Sequence, residues 1–162
     1  MTHVDVGVLQ PLTSKQSAAW SFFQRGITAI EIAKRMRTTR QNVHQTLKIA
    51  EVKISKTLLD VARSNGLEIK ALQPEKGILL GYNPLFKRNV VVTYTSKNGV
   101  RVWYWYDNPE KIDDEKLLQE TREYLLNEAE ERGIRLTLEE KNAHPARLAR
   151  AVFSRLLPEV RP

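Results

Sequence analysis

The chain has 162 residues, 41% of them hydrophobic, a formal net charge of +7 and no cysteine. That length can bury a sizeable core and divides naturally into two small units, while the missing thiols exclude disulfides, thiolate nucleophiles and cysteine-ligated zinc or iron–sulfur centres. No run approaches the roughly 18 apolar residues of a membrane span and no signal-peptide pattern opens the chain, so a soluble cytoplasmic protein without a membrane partner is expected.

Thr13 and Gln16 stand at capping-box spacing, which predicts a helix from Ser14 through Trp20, Phe22 and Phe23 to a stop at Gly26. Thr28 and Glu31 repeat that spacing and open a second helix, Ala29 to Met36, with Ile30, Ile32, Ala33 and Met36 as its apolar positions. Arg37-Thr38-Thr39 is short enough only for a tight turn, with Thr38 or Thr39 placed to cap a third helix. Val43, Leu47, Ala50, Ile54, Leu58 and Val61 recur at helical period, carrying that helix to about Ser64. Two short capped helices, a sharp turn and a long helix make the layout of a helix-turn-helix.

Opposite Val43 and Leu47, the start of the third helix offers Arg40, Gln41, His44, Gln45 and Lys48, with Asn42 beside them. Such side chains carry the donors and acceptors that read guanine and adenine edges in a major groove, where an α-helix fits, so residues of about 39–50 are the expected recognition helix. Residues 1–66 hold ten Lys and Arg against four Asp and Glu, whereas residues 67–162 hold sixteen against fifteen, so the basic surplus lies in the helical half. Local positive charge of this kind supplies the phosphate contacts of a DNA binder. Lys15, Arg25, Thr28, Lys34, Arg35, Arg37, Thr39 and Lys53 are the candidates for those contacts.

The stretches LTSKQ, EIAKRM and TTRQNV, with Ala50, Ile54 and Lys56, resemble the helix-turn-helix of archaeal Tfx-type transcription regulators. More distantly they resemble region 4 of bacterial sigma factors and the DNA-binding domain of quorum-sensing regulators. The resemblance covers roughly the first 60 residues and implies double-stranded DNA binding with a transcriptional role. It departs at Ala18-Ala19-Trp20-Ser21, where related sequences carry a valine-leucine pair, and it does not extend to residues 69–162.

Polar residues and a glycine at Arg63-Ser64-Asn65-Gly66 mark the junction between the two units. Beyond it, Ile78 to Tyr82, Val90 to Thr95 and Val100 to Tyr106 read as strands, with a turn at Asn83-Pro84. Asn98-Gly99 is a type I′ hairpin signal, which sets Lys97 opposite Val100 and gathers Val90, Val92, Tyr94, Arg101, Trp103 and Trp105 on one face. Val91, Thr93, Thr95, Val102, Tyr104 and Tyr106 take the other, so both faces are apolar and both require a cover. Tyr94, Trp103 and Trp105 form a candidate platform, for a dimer interface or for stacking a small-molecule effector or single-stranded nucleic acid.

Asp113, followed by Asp114 and Glu115, caps a helix of Leu117, Leu118, Thr121, Leu125 and Ala129 that stops at Gly133. After an extended piece at Arg135 to Leu138, Pro145 opens a last helix with Leu148, Val152, Phe153 and Leu156 inward. The acidic group Asp107, Glu110, Asp113 and Asp114 is explained by capping rather than by a cation site, and no cofactor or metal is expected. His3, His44 and His144 cannot be assembled with acidic partners at any catalytic spacing, and phosphate loops and nucleophile elbows are missing, so no enzymatic activity is expected.

The expectation is an α+β protein in two parts. Residues 1–66 form an all-α helix-turn-helix domain with a long linking helix. Residues 67–162 form a small antiparallel sheet packed by two C-terminal helices, which dimerises or senses an effector. Such a chain is a sequence-specific transcription regulator acting as a homodimer through the Val43-to-Val61 stripe or the aromatic hairpin face. A nucleic-acid-processing enzyme targeted by the helix-turn-helix and an adaptor of the transcription machinery are the alternatives.

Overall fold

The computed structural model describes residues 2–5, 10–105 and 114–158. Strand β1 (Thr2–Asp5) is followed by helices α1 (Ser14–Gln24), α2 (Ala29–Arg35) and α3 (Arg40–Ser64). Strands β2 (Glu68–Gln73), β3 (Ile78–Asn83), β4 (Arg88–Thr95) and β5 (Gly99–Tyr104) come next, then α4 (Glu115–Glu131), α5 (Leu138–Asn142) and α6 (Pro145–Ser154). Among the described residues no helix is long and apolar enough to cross a membrane.

The N-terminal helices form where their caps place them. Thr13 accepts from the Gln16 amide while the Gln16 side chain accepts from the Thr13 amide, the full reciprocal box. Thr28 caps α2 through the Glu31 amide, but the Glu31 carboxylate turns away to Arg35 at 3.3 Å, so that box is only half closed. Thr39 caps α3 through the Asn42 amide. Ile32 and Ala33 are buried as expected, whereas Ile30 is 53% exposed and belongs to the surface.

All five strands make one antiparallel sheet in the order β1-β5-β4-β3-β2. Residue parity decides what each face buries. Leu79, Val90, Val92, Tyr94, Val100 and Val102 join Trp20, Ile54, Leu58 and Val61 in one cluster, so α1 and α3 cover that face. Ile78, Leu80, Val91 and Trp103 join Leu125, Leu148, Val152 and Phe153, so α4 and α6 cover the other. The molecule is thus three layers, and the segments on either side of residue 66 share a continuous core.

The β4–β5 register corrects the sequence reading. Thr95 pairs with Gly99 and Tyr94 with Val100, so Ser96, Lys97 and Asn98 form the connection and β5 is turned over relative to expectation. Tertiary contacts override the Asn-Gly signal here: the Asn98 amide donates to Thr95 Oγ1 at 3.0 Å and its side chain donates to the Tyr124 carbonyl of α4 at 2.9 Å. Gly99, at φ 67, absorbs the resulting kink.

The expected aromatic platform is therefore not formed. Tyr94 faces Trp20 across the α1 side with ring centroids 5.2 Å apart, whereas Trp103 packs on Phe153 of α6 at 5.4 Å, on the opposite face. Both are fully buried, and Trp105 is capped by the Arg150 guanidinium. Tyr106 and the acidic residues Asp107, Glu110 and Asp113 lie outside the described residues. The cap of α4 is Asp114, which accepts from the Leu117 amide. The piece read as extended, Arg135 to Leu138, is free of helix up to Thr137, and an unanticipated helix α5 follows it before Pro145, opened by a capping box between Thr137 and Glu140.

Inside the α4 layer sits a polar network with no exposed member. Trp103 Nε1 donates to Thr93 Oγ1 at 2.9 Å, Thr93 donates to Glu128 at 2.8 Å, and Arg132 Nε donates to the second Glu128 oxygen at 3.0 Å. The Arg132 guanidinium also reaches the carbonyls of Lys76, Gly77 and Tyr94. One arginine thereby ties α4 to the turn before β3 and to the end of β4.

Candidate nucleic-acid interface

Because Val43, Leu47, Ala50 and Ile54 face the core, the first two turns of α3 stand out from the body with the opposite side uncovered. Arg40, Gln41, His44, Gln45 and Lys48 are all exposed; Gln41, Gln45 and Lys48 lie on that uncovered side with His44 at its border, whereas Arg40 stands on the same helical line as Val43 and Leu47 and is exposed because it is in the first turn. Arg40 Nε donates to His44 Nε2 at 3.4 Å, which joins two of these side chains one turn apart. Asn42 does not belong with them. Its side-chain amide donates to Thr38 Oγ1 at 2.8 Å and faces back toward the turn.

The turn itself is built from an arginine in a glycine conformation. Arg37 has φ 53 just after α2, and the Thr38 amide donates back to the Ala33 carbonyl at 2.9 Å. Left-handed backbone at a residue other than glycine costs about 1 kcal/mol. Arg37→Gly is accordingly expected to raise stability by about 0.5–1 kcal/mol in urea titration. If the guanidinium contacts phosphate, the same variant weakens binding to every duplex alike.

The phosphate candidates divide by environment. Lys15, Arg25, Lys34 and Arg37 are exposed. Arg35 is half engaged, by Glu31 at 3.3 Å and by the Phe22 ring at 5.4 Å. The Thr28 and Thr39 hydroxyls are committed to their caps. Lys53 points inward, donating at 2.9 Å to the Gln16 oxygen that closes the α1 cap, so it braces α1 against α3.

Between the start of α1 and the α2–α3 turn lies a cleft of about 380 Å³ whose walls include Lys15, Arg37, Thr38 and Asn42. Sequence reading had no means of joining Lys15 to Arg37, since the two meet only when α1 packs across the turn. Farther along, α3 carries a second exposed line: a groove of about 430 Å³ lined by Lys48, Val52, Lys56, Leu59, Asp60 and Arg63. At its edge burial, and then the Glu75 carboxylate, push the Glu51 carboxyl above its ordinary value, with Lys48 opposing. Val52 is 68% exposed and Ile49 43%, so the strip presents apolar side chains to solvent among the exposed Lys48, Lys56, Asp60 and Arg63.

Comparison of the chain with protein families, curated proteins and solved structures finds no match.

Proposed function

We propose that this protein binds double-stranded DNA sequence-specifically and regulates transcription, with α3 entering the major groove by its first turns. The observation that carries the reading is the set Arg40, Gln41, His44, Gln45 and Lys48, all exposed on the first turns of a helix held from behind by α1 and α2. Arginine, lysine and glutamine in that position match base-edge readout, and Lys15, Lys34 and Arg37 flank it with positive charge for the backbone. The likeness of residues 12–56 to Tfx-type regulators points the same way.

Selection from a random duplex pool tests this. Wild type is expected to enrich one motif, and Arg40→Ala/Gln45→Ala to lose it, each good bidentate contact being worth about 1–3 kcal/mol of discrimination. Lys15→Ala or Lys34→Ala should instead weaken all duplexes similarly and flatten the salt dependence. Equal behaviour of the two classes would show that α3 is not the reading element.

A further inference from the structure

The Val43-to-Val61 stripe is consumed within one chain by the sheet and α1, so it offers nothing to a second copy. A different line on α3 does. Ile49, Val52, Lys56, Leu59 and Arg63 follow at alternating steps of three and four, the spacing that keeps one seam facing a neighbouring helix. The seam lies on the side of α3 away from Ala50 and Ile54, both of which are completely buried.

We propose that two copies of this chain associate through this seam, with their α3 helices antiparallel and a two-fold axis at the level of Ile54. Charge selects that arrangement. A parallel pair would set Lys48, Lys56 and Arg63 against themselves. The antiparallel pair sets Lys48 opposite Asp60 of the second copy and Ile49 opposite Leu59, while the Lys56 methylene stem lies along Val52. Each contact occurs twice, as an isologous interface requires.

The register has a consequence for DNA that its charges were not chosen to give, and this part rests on the DNA-binding reading. His44, central among the reading side chains, lies ten residues from the two-fold level, or about 15 Å at the helical rise of about 1.5 Å. The two copies then hold their reading faces about 30 Å apart along the helices, and about 32 Å once an interaxial spacing of about 8–10 Å is added. Successive major-groove half-sites on one side of B-DNA are about 34–36 Å apart. Arg40 and His44 project about 100–140° around α3 from the seam, at about 100° per residue, so these two stay open to the duplex, whereas Gln45, at the outer end of the seam line opposite Arg63 of the second copy, and Lys48, at its edge, border both.

Sedimentation equilibrium on the full chain at low micromolar concentration, beside binding to a half-site and to a full palindromic duplex, tests the interface. Wild type is expected to be a dimer. Val52→Glu and Asp60→Lys should each shift association toward monomer by roughly tenfold or more, and Lys48→Glu/Asp60→Lys should regain the dimer in solution. Because the chain has no cysteine, Val52→Cys/Lys56→Cys should form a covalent dimer on oxidation, while Lys87→Cys should not. A wild-type monomer, or a dimer indifferent to both Val52→Glu and Asp60→Lys, would overturn the seam. A monomer that still binds a half-site leaves the DNA reading standing as the seam fails, and a seam-dependent dimer without duplex affinity does the reverse.

Discussion

Arg132→Ala is expected to cost about 3–5 kcal/mol of stability, the scale for breaking a buried ion pair by removing one partner. The side chains of Arg132 and Glu128 are 1% and 0% exposed, so a carboxylate stripped of its arginine has no water to turn to. The carbonyls of Lys76, Gly77 and Tyr94 lose a donor in the same step. For a chain of this size the loss corresponds to a fall of roughly 6–20 °C in Tm, read by calorimetry. Arg132→Lys keeps the charge but not the planar fork that spans Glu128 and three carbonyls, so it should recover only part of the loss. Arg155→Ala, which removes the exposed partner of Glu140, is the control and should leave Tm within error. An Arg132→Ala protein as stable as wild type would mean that water replaces the guanidinium and that the α4 layer is less closed than described.

Trp20→Ala should be comparably costly, about 3–5 kcal/mol, because the indole is 1% exposed and packs on Tyr94 of β4. Its ring also lies against Gly77, at φ +62, where an added Cβ would come within 3.0 Å of the indole and 2.6 Å of the Tyr94 carbonyl, so the indole is in close contact with the turn before β3 as well as with β4. The informative part is the shape of the transition. Since Trp20 belongs to a core that runs from α1 and α3 into the sheet, helical and near-ultraviolet signals should shift together in one transition. If the helical signal moved alone, the two halves would be independent units.

The N-terminal helices were legible because local chemistry fixes them: Thr13, Thr28 and Thr39 each cap the helix they were assigned, and α3 ends at Ser64. Most exposed side chains of the candidate interface were legible for the same reason, since the period that buries Val43 and Leu47 turns Gln41, Gln45 and Lys48 outward, while Arg40, on the line of Val43 and Leu47, is exposed only because the helix begins there. The sheet was read less well. Strand β2 mixes charge and aliphatic residues without clean alternation, and β1 pairs with β5 across about a hundred residues of chain, a contact that no local pattern announces. The hairpin register failed because Asn98-Gly99 was read as a two-residue loop, whereas contacts to Thr95 and Tyr124 hold Asn98 as the last residue of a three-residue connection and leave Gly99 to begin β5. Helix α5 was missed although Thr137 and Glu140 repeat the spacing used for α1; five residues carry too little periodicity to attract notice. Lys53 looked like a phosphate contact because nothing in sequence reveals that Gln16 lies beside it.

The pairing of β1 with β5 bears on the order in which the chain matures. Helices α1 to α3 leave the ribosome early, yet the sheet face that completes their core includes Val100 and Val102, and the partner of the first strand ends at Tyr104. Until that point emerges, the nascent helices have only one another to pack on, and their outward basic side chains are held without a backing layer. A fragment ending at Gly66 is caught permanently in that condition. The core of the helical layer is therefore completed late in synthesis, when the fifth strand closes beside the first.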